Sequence, residues 1–200
     1  MYERHEDNMT YPLLSHIRRV VDVLKAQSRD NVLFINISEI SRRSNLTHVT
    51  TKEILRLLEK KGIINHIKES IYLLSKDINI FDLKLFEKDM TYGLVEKSLS
   101  YIANNNPCTI GQFMRESGMS GPSYIRIINA LEESDIITRI RAGKVKYIFI
   151  KNKELFLQLC KFFGIEVSKV MTLDEFVKTY IYSESESSES SESSINSQEK

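Results

Sequence analysis

Glycine and proline are scarce in this chain, seven and three among 200 residues, which points to a helix-rich protein with few long loops. Cysteine occurs only at Cys108 and Cys160, far apart and without a CxxC partner. That excludes a disulfide framework and fits a reducing compartment. No apolar run approaches the length of a membrane span. The first residues, MYERHEDNMTY, are charged and hold no apolar signal core. The expected location is therefore intracellular, in cytoplasm and nucleoid or in a nucleus, with no membrane contact. Signatures of chemistry are missing as well. His5, His16, His48 and His66 are isolated from one another and from the cysteines, and there is no HExxH or EF-hand loop, so no metal is expected. Neither GxxxxGK[ST] nor GxGxxG occurs, which argues against nucleotide binding, and no Gly-x-Ser-x-Gly supplies a nucleophile elbow. The chain reads as no enzyme and as needing no cofactor.

What is present is a sizeable apolar fraction, 42% of residues, enough for a real core. Formal net charge is +1, but it is unevenly spread. From Ser183 to Lys200 five glutamates face one lysine, a net of −4, leaving about +5 on the remainder. A modestly basic body permits a polyanionic partner without requiring one.

The strongest pattern is internal similarity. ISEISRRSNLTHVTTKEILRLLEKKGII (37–64) aligns without gaps on IGQFMRESGMSGPSYIRIINALEESDII (110–137) at an offset of 73 residues. Ile40 falls on Phe113, Arg42 on Arg115, Ser44 on Ser117, Leu55 on Ile128 and Leu58 on Leu131. Each copy predicts a short helix, from about Ser38 to Ser44 or Gly111 to Ser117. A turn follows at Asn45 or Gly118, residues tolerant of positive φ. A second helix then opens on Thr47 or Ser120 as N-cap. Its apolar stripe is Thr51, Ile54, Leu55 and Leu58 in the first copy, and Tyr124, Ile127, Ile128 and Leu131 in the second, at i, i+3, i+4, i+7 spacing. Together these make a helix-turn-helix. A helical stripe precedes each copy: Ile17, Val20, Val21 and Leu24, then Val95, Leu99 and Ile102. Paired strands follow each, around Lys68-Glu69-Ser70 and around Ala142-Gly143. Leu33 to Ile37 offers a small third strand to the first copy.

In that order of elements the chain resembles the winged-helix superfamily, over roughly residues 12–75 and 90–150. LTHVTTKEILRLLEKKGII is similar to the superfamily's recognition-helix consensus. MSGPSYIRIINALEESDII is a weaker match, with Asp135 where glycine is usual. The implied fold class is mainly α with small β-hairpins (α+β). It divides into a flexible N-terminus (1–11), a first winged helix (12–77), a packed linker (78–89), a second winged helix (90–151), a C-terminal helical extension (152–181) and a disordered Ser/Glu tail (182–200). Phe81, Leu83, Leu85 and Phe86 make the linker too apolar to be free. In the extension, Leu155, Phe156, Leu159, Phe162 and Phe163 form a stripe that either closes the second core or docks a homodimer mate or protein partner. Thr172 with Glu175 suits a capping box for a last helix. The tail has almost nothing to bury and is expected not to fold; it is a solubilising segment, an acidic arm competing for the basic surface, or a phosphorylation platform at Ser183.

The resemblance implies a DNA-binding role, in which the second helix of each turn enters the major groove and the hairpin wing touches backbone. In the first copy the candidate contacts are Arg42, Arg43, Thr47, His48, Thr50, Lys52 and Arg56. In the second, Ser120, Ser123 and Arg126 lie on the helix, and Arg139, Arg141, Lys144 and Lys146 on the wing. Double-stranded DNA and transcription regulation are the expected partner and role. The main alternative is a protein-binding scaffold, since tandem winged helices are similar in layout to ScpB-like, TFIIE-beta-like and ESCRT-II-like subunits. Val49, Leu57 and Ile125 off the core face and the acidic end of the second copy's helix support that alternative. A plasmid or viral replication initiator is the third.

Overall fold

The computed structural model describes residues 12–68, 70–74, 79–167 and 170–180. The expectations for residues 1–11 and for the tail at 182–200 lie outside them. Among the described residues the chain is mixed α+β, with eight α-helices and two three-stranded antiparallel sheets.

The first half runs α1 (Leu14–Gln27), β1 (Val32–Phe34), α2 (Ile37–Ser44), α3 (His48–Lys60), β2 (Ile64–Lys68) and β3 (Ile71–Leu74). Two 3-10 turns follow, Asn79–Asp82 and Lys84–Glu87. The second half repeats the order as α4 (Tyr92–Asn104), β4 (Cys108–Thr109), α5 (Ile110–Glu116), α6 (Gly121–Glu133), β5 (Ile137–Ala142) and β6 (Val145–Ile150). It then adds α7 (Lys153–Phe163) and α8 (Leu173–Tyr180). The sheets have matching order, β1-β3-β2 and β4-β6-β5. Strand β4, which pairs Cys108 with Ile148 and Thr109 with Tyr147, carries no signal in the sequence because it is only two residues long.

Local chemistry fixes these elements. Asn36 caps α2 by accepting the Glu39 N–H at 2.8 Å, which starts that helix at Ile37 rather than Ser38. Thr109 and Gln112 make a reciprocal capping box, which starts α5 at Ile110 rather than Gly111. Both helix-turn-helix turns use left-handed residues, Asn45 at φ +54° and Gly118 at φ +63°. Thr172 and Glu175 cap α8 reciprocally, at 2.8 and 3.2 Å. Ser120 is the N-cap position of α6 but makes no capping bond; its hydroxyl donates to Ser123 Oγ at 2.9 Å.

The apolar stripes of α3 and α6 meet one continuous core. Ile54, Leu58, Ile127, Ile128 and Leu131 are wholly buried, and Leu55 nearly so. Between the halves, Phe81 and Phe86 pack edge-on at 5.0 Å, and Phe162 of α7 closes on Phe81 at 5.2 Å. Lys25 pairs with Asp82 at 2.9 Å and Arg18 with Glu87 at 3.0 Å, so α1 is tied to both 3-10 turns. A direct backbone joint also links the halves. Leu14 N–H donates to Met90 O at 2.9 Å, and Tyr92 N–H donates to Pro12 O at 3.3 Å, around an antiparallel bridge between Leu13 and Thr91. The starts of α1 and α4 thus satisfy each other's orphan amides reciprocally, as across a local two-fold axis.

Of the two expectations for Leu155, Phe156, Leu159, Phe162 and Phe163, packing into the core is what the structure has, and the dimer or partner surface is corrected. Phe156, Leu159, Phe162 and Phe163 are at most 4% exposed, and Leu155 is half-buried against the same core. Their spacing puts them on the face of α7 that packs on α4 and the first 3-10 turn, which takes these side chains out of reach of a second chain. No helix of the described residues is long and apolar enough to cross a membrane.

Candidate nucleic-acid interface

Helix α3 opens on Thr47, which accepts the Thr50 N–H at 3.1 Å and shares a 2.9 Å hydroxyl contact with the Thr50 side chain. The cap fixes the first turn and exposes His48. Because the buried stripe is Thr51, Ile54, Leu55 and Leu58, the opposite side of the helix is solvent-facing and mostly polar, with Val49 exposed on it. There His48, Lys52 and Arg56 recur every fourth residue as one exposed ridge, and Lys60 continues it. At 1.5 Å per residue this ridge spans about 18 Å. Lys52 and Arg56 have no hydrogen-bond or ion-pair partner among the described residues.

Arg42 and Arg43 stand differently. Both reach the Glu39 carboxylate, at 2.7 and 2.6 Å. Their two guanidiniums lower the Glu39 pKa to about 2, mainly through the hydrogen bonds from Arg42 and Arg43. The same contact raises the pKa of Arg42. These arginines are exposed but already neutralised in part, so they are weaker phosphate ligands than the sequence implies.

In the second half, Arg126 donates to the Asp89 carbonyl at 3.3 Å, and Ser134 near the end of α6 accepts the Leu85 N–H at 3.1 Å. Ala130 on the same flank is wholly buried. The second 3-10 turn and the Asp89 carbonyl therefore flank the side of α6 formed by Arg126, Ala130 and Ser134, while Ile125 stays 47% exposed. The acidic end of α6 is also occupied. Glu132 binds Arg139, Glu133 binds Lys88 at 3.1 Å and Asp135 binds Lys151 at 2.7 Å. Glu133 and Asp135 stay exposed while so paired.

The β5–β6 hairpin holds the remaining cations. Arg139 is neutralised by Glu132, whose own pKa is lowered chiefly by that arginine's hydrogen bond. Arg141 donates only to the Gly143 carbonyl at 3.0 Å. Lys144 and Lys146 are exposed and have no partner among the described residues. Arg141 and Lys146 sit directly opposite each other in the antiparallel register. Like charges so placed repel, and no carboxylate of the described residues relieves them.

The sequence-derived set thus divides. Lys52, Arg56, Arg141, Lys144 and Lys146 present free charge, with Thr47, His48 and Thr50 at the head of α3. Arg42, Arg43 and Arg139 are paired with carboxylates, Arg126 like Arg141 donates to a backbone carbonyl and keeps its charge, and Ser120 and Ser123 bond each other. Glu39 was visible in the sequence, three and four residues before its arginines. Glu132 was not, since its pairing with Arg139 needs the helix and hairpin folded together.

Cys108 and Cys160 are both buried and unpaired, and burial pushes each thiol up to about 12. Among the described residues no group of three or more His, Cys, Asp or Glu is placed to hold a metal. No protein-family model and no curated protein matches the chain.

Proposed function

We propose that this chain is a tandem winged-helix protein that binds duplex DNA, in the manner of a transcription regulator. The α3 ridge would face the major groove and the β5–β6 hairpin the phosphate backbone. The repeated helix, strand, helix-turn-helix and hairpin order supports the fold reading. The observation that carries the function is the cross-strand Arg141–Lys146 pair with Lys144 beside it. Such a pair is destabilising by itself, and an anion lying along the hairpin would relieve it. Phosphate contacts of this kind give affinity without reading sequence, so discrimination would fall to His48, Lys52 and Arg56.

A second reading, a protein-binding scaffold, draws on Val49 and Ile125, which are 66% and 47% exposed on the two helices.

Fluorescence anisotropy with a labelled duplex tests the first reading. If Lys52, Arg56, Arg141, Lys144 and Lys146 each neutralise one phosphate, the log–log salt slope is about −4.5. Affinity then falls roughly 500-fold between about 50 and 200 mM salt. Changing Arg56, Arg141 and Lys144 together to Ala flattens the slope by about 3. Unchanged duplex affinity in that triple variant would sink the DNA reading.

A further inference from the structure

The two sheets solve the same covering problem differently. In each, one face packs on its own helices. Leu33, Tyr72, Leu74 and Ile64 do so in the first, and Cys108, Ile148, Ile150 and Ile137 in the second. Register makes the other faces equivalent: Phe34 pairs with Ile71 as Thr109 pairs with Tyr147, and Leu73 follows Tyr72 as Phe149 follows Ile148. In the second sheet that outer face is covered. Helix α8 is held beside β6 by a bridge from Thr172 to Ile150, and its Phe176 ring lies 5.2 Å from Phe149. Phe149 is consequently only 4% exposed. In the first sheet no described residue plays that part. Phe34 is 77% exposed and Leu73 36%, with Ile67 at the bulge of β2 57% exposed.

We propose that the bare outer face of the first sheet docks a short amphipathic helix of a partner protein, carrying an aromatic side chain and an acidic first turn. The second half supplies the template. Its covering helix is eight residues long, presents Phe176 to the sheet, and carries Asp174 and Glu175 in its first turn. Glu175 pairs with Lys153 at the start of α7, at 2.9 Å. The first sheet offers the matching charge. Arg29, bridged to Val32, and Lys68 on β2 have no acidic partner among the described residues. A shallow groove of about 450 Å³ beside Phe34, lined also by Gln27, Asn36, Glu39, Arg43 and Ile71, adjoins this face. Arg43 lines it together with its partner Glu39, so the unpaired cations of this sheet are Arg29 and Lys68. An aromatic anchor is the usual centre of a helix-on-surface contact.

The probe is a stapled helical peptide copying Met171–Tyr180, titrated into the full isotope-labelled chain and followed by amide shifts. The expected result is saturable shifts at Phe34, Ile71 and Leu73. Phe34→Asp in the chain, or Phe176→Ala in the peptide, weakens binding at least about tenfold. Phe34 is solvent-facing, so its variant keeps the melting temperature of the parent. Absence of saturation by about 1 mM overturns the proposal. So do shifts confined to Tyr147–Ile150, which mean that the peptide only displaces α8. Binding unaffected by Phe34→Asp overturns it too, and a Phe34-dependent dimer without peptide replaces the partner helix with a second copy. Duplex affinity of the Phe34→Asp variant stays at the parent value, so this surface and the DNA reading stand or fall separately.

Discussion

At Glu39 a single carboxylate holds two guanidiniums, and its ionisation sets how much charge α2 shows to solvent. Its folded pKa lies below the unfolded one, so its contribution to stability is present above about pH 4.5. That contribution fades as pH falls from there through about 2. A carboxyl-carbon NMR titration should find the Glu39 midpoint near 2, returning to the ordinary glutamate range when Arg42 and Arg43 are both changed to Ala. At neutral pH, Glu39→Gln should release both arginines. If they lie against the same duplex as α3, affinity rises a few-fold and the salt slope steepens by about 1 to 2. An unaltered slope in that variant would place both arginines away from the DNA. Ser44 and Ser117 show how far equivalent residues have parted. Ser44 donates to the Ile40 carbonyl at 2.8 Å, whereas buried Ser117 Oγ has no partner among the described residues.

The ends of α3 and α6 show one backbone solution reached with two residue types. Gly62 and Asp135 occupy the same offset and both turn left-handed, at φ +68° and +58°. Ile63 N–H returns to the Leu58 carbonyl and Ile136 N–H to the Leu131 carbonyl, at 2.9 and 3.0 Å, closing both helices alike. No atom would crowd a Cβ at Gly62, so Gly62→Ala isolates the conformational term. It should destabilise by about 1–2 kcal/mol in urea unfolding. Asp135→Gly should shift stability the other way by less than about 1 kcal/mol, since it also loses the Lys151 ion pair, an exposed contact of small worth. Equal destabilisation by both substitutions would mean that the backbone strain at Asp135 is negligible.

At this scale the sequence was most informative. Periodic stripes, Asn45, Gly118 and the hairpins are all local signals, and the structure places elements where those signals lie. The caps at Asn36 and Thr109 shifted two helix starts by a residue. Strand β4 escaped because two residues carry no alternation. The candidate site was legible only as a list of cations. Which ones are free depends on Glu132, Lys88 and the Asp89 carbonyl, brought together by long-range folding. The α7 stripe was legible as apolar, but its burial against α4 and Phe81 is a tertiary fact.

Across the whole molecule, the linker between the halves behaves as core. Phe81, Leu85 and Phe86 are wholly buried and meet residues from both halves and from α7. Phe81→Ala should therefore cost about 3–5 kcal/mol, the range for a large aromatic removed from a packed interior. The loss should appear in the unfolding of both halves, followed through amides of α3 and α6 together. Unfolding of α3 at an unchanged denaturant midpoint in that variant would show the first half to be independent of the joint.

The reciprocal amide pair between Leu14 and Met90 and between Tyr92 and Pro12 has a wider consequence. In a dimer of identical subunits, each surface must occur twice and each substitution is made twice. Here the two subunit-like bodies share one chain, so a change in one is not imposed on the other. The axis survives in the backbone joint, while the surfaces have diverged. Among the described residues one sheet is roofed and its counterpart is not, and the linker's second 3-10 turn bonds to the end of α6 but not of α3. The chain is built as a heterodimer that needs no second gene to keep its halves in equal number.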